Sequence, residues 1–269
     1  MKQRIEKGKT KIVVTLGPSS DNEEIIREFF NLGVDVFRLN FSHGTHDDHQ
    51  RRIDLIRKIE RETHSNVTIL MDLQGPKIRL GKFQNGSVTL KAKDHFTLTK
   101  QEVIGNEHLA TLTYREVIDD VKIGDNIFID DGLIKLKVID KISDSVETEV
   151  IQGGIVSDHK GVNFPSTKIN IPALTDKDVD DLKFGLSTSV DAVALSFVKS
   201  KEDVLDLLNY MKQFGKMLPI ISKIEKWEAV ENIEEIVDVS SGVMVARGDL
   251  GVELPISKVP IIQKEIIRV

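Results

Sequence analysis

Short runs of apolar residues alternate along the chain with longer segments whose apolar residues recur every three or four positions. Such runs are typical of buried parallel strands, and such segments are typical of amphipathic helices. A repeated strand-helix order predicts a parallel α/β fold. The six predicted strands are residues 11–16, 34–40, 67–72, 191–196, 220–224 and 242–246.

Pairs of polar residues three positions apart predict where the helices begin, because each side chain can cap the free backbone amides of the first turn. Gly33 is a typical stop for the first helix. Between the last two predicted strands, Ala229, Ile233 and Ile236 follow the spacing of one continuous helix. The four predicted caps are Ser20 with Glu23, Thr45 with Asp48, Thr175 with Asp178, and Ser200 with Asp203.

The strand-helix order is interrupted between residues 80 and 172, where apolar and polar residues alternate and turn signals occur at 85–86, 131–132 and 153–154. Residues 125–138 have the pattern of a β-hairpin. We therefore predict a β-rich, barrel-like domain inserted after the third strand. An insertion in this place is typical of a lid over a site.

The lengths of the two parts limit the architecture. Removing the 93 residues of the insertion from the 269 of the chain leaves 176, whereas a closed (β/α)₈ barrel needs about 200 to 250. We therefore expect an incomplete (β/α)₈ TIM barrel with six of eight strands, cut off after its sixth helix. The predicted domains are residues 1–79 with 173–269 for the barrel and 80–172 for the lid.

Composition narrows the possible functions. With 40% hydrophobic residues, 30% charged residues and a net charge of −6, the chain has the profile of a globular protein without a broad nucleic-acid surface. The absence of Cys excludes disulfides and thiolate metal sites. Because no signal sequence and no apolar run of about 18 residues is visible, we expect a cytoplasmic protein without a membrane segment.

The strongest chemical signal lies at the fifth and sixth strands. Lys223 and Glu225 are two positions apart in a strand, so their side chains share a face, while Ser222 and Ile224 point the other way. Asp249 follows the next strand, which should run parallel and end at the same edge. An ammonium beside two carboxylates suits a metal-assisted site for a phosphorylated or enolic anion. The alternative is that each carboxylate only forms a structural ion pair.

Four segments resemble signatures of the pyruvate kinases, and their order and spacing match that family, as does the inserted domain. The resemblance covers essentially the whole chain, although known members continue through two more barrel strands and a regulatory domain. The four segments are FRLNFSHG at 37–44, DLQGPKIR at 72–79, ISKIE at 221–225 and MVARGDLG at 244–251.

The resemblance implies phosphoryl transfer between phosphoenolpyruvate and ADP, giving pyruvate and ATP in glycolysis. It implies that Glu225 and Asp249 hold Mg²⁺ or Mn²⁺. Lys223 would stabilise the charge that develops on the phosphoryl group and the enolate. Gly248 would let substrate approach the backbone next to Asp249. The remaining implied contacts are with phosphate for Arg38 and Arg79, and with the nucleotide for Asn40, Phe41, Ser42, His43, Arg79 and Lys160.

One departure from the family concerns the monovalent cation. Potassium-dependent pyruvate kinases usually have Thr, Lys, Glu and Thr where this chain has Leu73, Gln74, Lys77 and Leu80. Leu73 offers no side-chain oxygen, and Lys77 brings a tethered ammonium. We therefore expect no requirement for K⁺. The oxygen donors that remain at the family's monovalent site are Asn40, Ser42 and Asp72.

Two rival interpretations stay open. A Mg²⁺-dependent lyase of the wider phosphoenolpyruvate/pyruvate barrel group would also use paired acidic residues, but it leaves the insertion and Lys160 unexplained. The chain could instead be an inert fragment that binds metal and nucleotide weakly, since the strands it lacks carry a substrate contact of the family. The resemblance implies a tetramer for full-length members and leaves the assembly of this chain open.

Overall fold

The structure is a computed structural model that describes residues 9–165 and 167–269. The first eight residues, which belong to the predicted barrel segment 1–79, lie outside the described residues, as does Ser166. The strands in chain order are β1 Val13–Leu16, β2 Val36–Asn40, β3 Thr68–Asp72, β4 Ser87–Leu90, β5 His95–Thr99, β6 Leu109–Thr111, β7 Asn126–Ile129, β8 Ile134–Ile142, β9 Ser145–Gln152, β10 Gly154–Ser157, β11 Val162–Asn163, β12 Ala192–Leu195, β13 Ile220–Ile224 and β14 Gly242–Val245.

The helices connect the strands that lie outside the insertion, except for the short helix at Val117–Asp120, which lies within it. A 3₁₀ turn at Ile256–Lys258 precedes the last helix. The α-helices are α1 Glu23–Asn31, α2 His46–Thr63, α3 Val117–Asp120, α4 Asp176–Ser187, α5 Lys201–Gln213, α6 Trp227–Glu231, α7 Ile233–Val239, α8 Arg247–Glu253 and α9 Val259–Arg268.

One curled sheet contains the six predicted strands, all parallel, in the order β1-β2-β3-β12-β13-β14. The incomplete TIM barrel predicted from the sequence is therefore confirmed. In β3, Ile69 and Met71 face the helices while Leu70 and Asp72 face the concave side, because side chains alternate along a strand. Within the described residues, β1 and β14 each pair with a single neighbour, so both outer edges of the sheet are open.

The insertion is β-rich, as predicted. It contains a six-stranded sheet in the order β11-β7-β8-β9-β5-β6 and a two-stranded sheet of β4 and β10. Its apolar cluster runs from Ile78 to Ile171, and the cluster of the outer part resumes at Ala173. The two clusters agree with the predicted division at residues 80 and 172, which stays a prediction.

Three of the four helix caps predicted from the sequence are confirmed. Thr45 with Asp48, Thr175 with Asp178 and Ser200 with Asp203 form capping boxes. The predicted cap of α1 was wrong. Asn22 accepts the hydrogen bond from the Ile25 amide at 3.0 Å, while Ser20 closes a turn with Gly17. An Asn at the N-cap competes well with Ser.

Two further local predictions were wrong. The segment between β13 and β14 forms two helices, because the chain breaks at Asn232, whose side-chain amide donates to the Lys199 carbonyl at 2.9 Å. The pair Gly153-Gly154 is not a hairpin turn but the corner where the chain leaves β9 for β10. The hairpin predicted at 125–138 is confirmed as β7 and β8.

No helix in the two described ranges combines the length and apolar character needed to cross a bilayer.

The corner at Gly153 generates a stability prediction. A Cβ at this position would lie 2.3 Å from the Leu90 carbonyl oxygen and 3.1 Å from the Ala92 amide nitrogen. These are backbone atoms that cannot rotate away. We expect Gly153→Ala to lower the free energy of unfolding by about 1–3 kcal/mol or more, the usual cost of overpacking. Urea denaturation measures it. Gly17→Ala is the control, since a Cβ there meets open space, and an equal effect of both variants would contradict the prediction.

His49 generates a pH-dependent prediction. Its side chain is 1% exposed, and burial, together with the neighbouring Arg52 charge, lowers its pKa below the ordinary 6.5. As pH falls, the unfolded chain therefore takes up a proton at this residue before the folded chain does. The stability present above about pH 6.5 is lost progressively below it. We expect His49→Phe to lose less stability than the unaltered chain between about pH 7.5 and pH 5.5.

Urea denaturation at several pH values measures this difference. The other histidines are common to both proteins, so their contributions to the pH dependence of stability cancel in the comparison. Parallel stability curves would contradict it.

Candidate functional site

Most of the charged residues predicted for the site lie at one edge of the curled sheet, where the parallel strands have their carboxyl ends. β13 pairs with β14 in parallel, so Glu225 directly after β13 and Asp249 in the first turn of α8 leave the sheet at the same end. Alternation places Arg38 of β2, Asp72 of β3 and Lys223 of β13 on the concave side.

Lys223 lies at the centre of this cluster and is 8% exposed. Its Nζ is 2.8 Å from Glu225 Oε1, 3.4 Å from Asp72 Oδ1 and 2.7 Å from the Ser196 hydroxyl. Burial alone would lower the pKa of Lys223, but the carboxylates of Glu225 and Asp72 outweigh it and raise the pKa. Lys223 is therefore an ammonium at neutral pH. The shared face predicted for Lys223 and Glu225 is confirmed.

Asp72 joins Lys223 to Arg38. Arg38 Nε donates to Asp72 Oδ2 at 2.7 Å, and Arg38 Nη1 donates to the Thr15 hydroxyl at 2.9 Å. Asp72 is almost fully buried, whereas the Arg38 side chain is one-quarter exposed. The guanidinium is therefore fixed on one side and open to the sheet edge on the other.

Glu225 is 2% exposed, and its Oε2 accepts the backbone N–H of Phe197 at 2.9 Å. Burial raises the pKa of Glu225, the Lys223 ammonium opposes this, and the nearby Asp249 carboxylate adds to the rise. A cation held between the buried Glu225 and the partly exposed Asp249 would relieve the repulsion between their carboxylates. Glu225 and Asp249 could therefore hold a hard divalent ion.

The donor set is small. Among the described residues, no group of three or more His, Cys, Asp or Glu side chains is arranged to hold a metal. Two carboxylate oxygens suit Mg²⁺ or Mn²⁺, because Mg²⁺ commonly takes one or two protein carboxylates and completes its shell with water and substrate oxygens. The residues present therefore fit the implied ion.

Ser196 and Phe197 were missed by the sequence analysis. Ser196 donates to the Leu73 carbonyl at 2.7 Å while accepting from Lys223. Phe197 has a φ of +56°, which turns its N–H toward Glu225. Their position directly after β12, at the same edge as Glu225, was the available signal.

The turn after β3 is shaped by Phe197. Gly75 has a φ of +69°, and a Cβ there would lie 2.7 Å from the Phe197 ring. Its N–H donates to the buried Asp178 Oδ1 at 3.0 Å. This position therefore requires glycine for both conformation and space.

The predicted nucleotide segment 40–43 forms a tight turn after β2. Asn40 Oδ1 accepts the Ser42 amide at 3.0 Å. The Phe41 ring is buried and stacks on His49, with ring centroids 3.9 Å apart. Phe41 is 1% exposed as a whole residue, whereas His43 is exposed and Ser42 is partly exposed, so a ligand can reach Ser42 and His43 but not Phe41.

Arg79 and Lys160 lie together at the base of the lid, where the Leu80 amide donates to the Lys160 carbonyl. Arg79 Nη1 donates to the His159 carbonyl at 3.0 Å, and Lys160 Nζ is 2.8 Å from Asp130 Oδ1. These hydrogen bonds are to lid atoms and not to the Lys223 cluster.

Lys77 and Asp249 line a crevice between the lid and the barrel sheet, together with Phe197 and Lys226. A Cβ at Gly161 would lie 3.2 Å from Lys77 Cε, so this side chain runs along the lid. Lys226 Nζ is bonded to Glu253 at 2.7 Å.

The other predicted positions have simple surroundings. Leu73 is buried, with its amide bonded to the Ala194 carbonyl at 3.1 Å. A Cβ at Gly248 would meet nothing within 4 Å, so the backbone there is open on that side.

The proteins that resemble this chain over almost its whole length include three pyruvate kinases from different organisms. Pyruvate kinase of Clostridium perfringens is 49% identical over 262 residues, which are 97% of this chain and 55% of that protein. Pyruvate kinase 2 of Synechocystis is 47% identical over 263 residues, 96% of this chain and 44% of that protein. Pyruvate kinase of Staphylococcus epidermidis is 43% identical over 262 residues, 97% of this chain and 45% of that protein.

The chain spans about half the length of the curated relatives it matches. A sequence model described as pyruvate kinase, barrel domain, matches residues 7–269. The family resemblance found in the four sequence segments is therefore confirmed, and the chain belongs to the pyruvate kinase family.

Proposed function

We propose that the site transfers a phosphoryl group between phosphoenolpyruvate and ADP, giving pyruvate and ATP. One observation carries the proposal: a buried ammonium, Lys223, lies between the carboxylates of Glu225 and Asp72 at the carboxyl ends of parallel strands. Phosphoryl transfer needs little covalent chemistry from the protein and depends on positioning and charge stabilisation.

Lys223 stabilises the charge that develops on the transferring phosphoryl group and on the enolate oxygen. Its partners keep it charged and fixed before substrate arrives, so little reorganisation is needed during reaction. Arg38 binds phosphate with the face of its guanidinium that Asp72 and Thr15 leave open. Glu225 and Asp249 hold Mg²⁺ or Mn²⁺, which when bound neutralises phosphate and enolate oxygens.

The nucleotide lies between the turn after β2 and the base of the lid. Asn40, Ser42 and His43 contact it from the barrel side, and Arg79 and Lys160 contact it from the lid. The buried Phe41 supports the turn without touching the nucleotide. Because Arg79 and Lys160 now bond to lid atoms, they exchange these partners for phosphate oxygens when the nucleotide binds.

The site needs no K⁺. The Asp72 carboxylate already faces the ammonium of Lys223 and the guanidinium of Arg38. Asn40 uses its side-chain oxygen within the turn, and Leu73 has no oxygen to offer. Lys77 adds a tethered cation on the lid side of the crevice.

The wider setting follows from the family. We propose a cytoplasmic role in glycolysis, with phosphoenolpyruvate, pyruvate, ADP and ATP as ligands. A homotetramer is the expected assembly of the full-length protein.

A second candidate is a catalytically inert fragment that retains weak metal and nucleotide binding. The hydrogen bonds of Arg79 and Lys160 to lid atoms favour it, because both side chains are occupied where a nucleotide phosphate would need them.

Lys223→Met tests the function. We expect ADP-dependent pyruvate formation to fall by about 10²–10³-fold, the usual effect of removing one charge-stabilising donor. ADP affinity should remain, because Lys223 acts on the reacting group and not on the nucleotide. A coupled pyruvate assay and calorimetry measure the two quantities.

Lys183→Met is the matched control, since Lys183 is exposed. Unchanged turnover in Lys223→Met would refute the role of Lys223. Binding of Mn²⁺ and ADP by the unaltered chain without any turnover would support the inert fragment.

The potassium prediction has its own experiment. We expect the same turnover and the same ADP affinity in potassium chloride and in tetramethylammonium chloride at equal ionic strength. Lys77→Glu should introduce a potassium requirement, because it removes the tethered cation and adds a carboxylate. A large loss of ADP affinity or turnover in the unaltered chain without potassium would show the prediction to be wrong.

A further inference from the structure

The turn at residues 40–43 is held from behind by two side chains that no assigned role explains. Lys177 Nζ donates to the Phe41 carbonyl at 2.8 Å, and His49 Nε2 bonds to the His43 carbonyl at 3.0 Å. The two groups come from different helices, α4 and α2. They therefore fix two carbonyls of one short turn from separate directions.

Lys177 is itself fixed in place. It lies in the first turn of α4, and Asp181 one turn later is buried and bonded to its ammonium at 2.5 Å. His46 Nε2 contacts the other oxygen of Asp181 at 2.8 Å, while its ring stacks on Phe184. A lysine with one buried carboxylate partner and one carbonyl acceptor has little freedom to move, although half of its side chain is exposed.

His49 has an arrangement that stability alone does not explain. A carbonyl oxygen only accepts hydrogen bonds, so Nε2 of His49 carries the ring proton and donates to the His43 carbonyl. Nδ1 is then a lone-pair acceptor, and it is buried without a hydrogen-bond partner among the described residues. An unpartnered buried polar atom costs stability that an apolar ring stacked on Phe41 would avoid. What the imidazole provides, and a phenyl ring would not, is the hydrogen bond to the turn.

The inner polar groups of the turn are also occupied. The Phe41 amide donates to the Asp72 carbonyl at 2.9 Å, and the Ser42 amide donates to Asn40 Oδ1. Fixing the backbone from behind leaves the side chains of Ser42 and His43 directed outward. A turn ordered before binding spares the ligand the cost of ordering it.

We propose that Lys177 and His49 are positioning residues for a nucleoside diphosphate, which act by ordering the turn at residues 40–43. This rests on the proposed function, in which that turn contacts the nucleotide. Neither residue touches the ligand itself.

The test compares lysine variants of the whole chain. We expect Lys177→Met to weaken ADP affinity about tenfold, the effect of losing one charge-assisted hydrogen bond. Mn²⁺ affinity should not change, because Glu225 and Asp249 follow β13 and β14, which β3 and β12 separate from the turn after β2. Lys177→Arg should restore most of the ADP affinity, since a guanidinium can also donate to the Phe41 carbonyl. Calorimetry measures both ligands.

Lys216→Met is the matched control. Lys216 donates to the carbonyls of Leu186 and Thr188 at the opposite end of α4. The Lys216→Met variant loses a comparable lysine-carbonyl contact, but at the end of α4 that is far from Lys177 and from the turn at residues 40–43. ADP affinity should therefore be retained. Hydrogen exchange without ligand supplies a second measurement, in which the amides of residues 41–44 should exchange faster in Lys177→Met and His49→Phe than in Lys216→Met.

The outcomes separate the positioning role from the proposed function. If the unaltered chain binds no ADP, both are overturned. If it binds ADP and Lys177→Met binds equally well, only the positioning role is overturned. The same holds if Lys216→Met weakens ADP affinity as much, or if exchange at residues 41–44 is unchanged in Lys177→Met.

Discussion

The structure depends on keeping Lys223 charged inside the sheet edge. A buried ammonium is unfavourable unless carboxylates surround it, and Glu225 and Asp72 meet this need from two different strands. Removing one member of such a group commonly costs about 3–5 kcal/mol, because the other charge is left unpaired. The cluster therefore constrains the relative positions of β3 and β13, which the intervening β12 sets, and Ser196 at the end of β12 completes the contacts.

Parallel pairing turns this electrostatic constraint into a site. Every strand of the curled sheet ends at the same edge, so short polar segments that follow the strands become neighbours. Alternation divides the residues of the strands between two faces. One apolar set packs against the helices, and the charged side chains share the concave side with a smaller apolar cluster. The helices then act on the site from behind: α4 supplies Asp178 to the turn at Gly75 and Lys177 to the turn at Phe41.

The lid extends the site without being part of its charge cluster. Its first and last segments pair with each other near Arg79 and Gly161, so the insertion leaves and re-enters the sheet edge through one narrow base. Lys199, which follows β12, donates to the carbonyls of Ile169 and Ile171 and so holds the last residues of the lid against the barrel sheet. Most charged residues that line the crevice between lid and sheet, including Lys77 and Asp249, lie outside the lid, which contributes Asp131 and several apolar side chains.

The sequence by itself determined the six strands, the insertion, three of four helix caps and the shared face of Lys223 and Glu225, because periodicity and capping are local properties of the chain. Only the tertiary structure decided that Asp72 pairs with both Arg38 and Lys223, and that the Phe41 ring turns inward onto His49. These contacts join segments far apart in sequence, and their distances are set by how strands and helices pack. Local signals failed where two residues were nearly equal candidates for the same role, as at the start of α1, where Asn22 and not Ser20 is the cap. They also failed at Asn232, where a hydrogen bond to Lys199 accompanies the break in a helix that was predicted to be continuous.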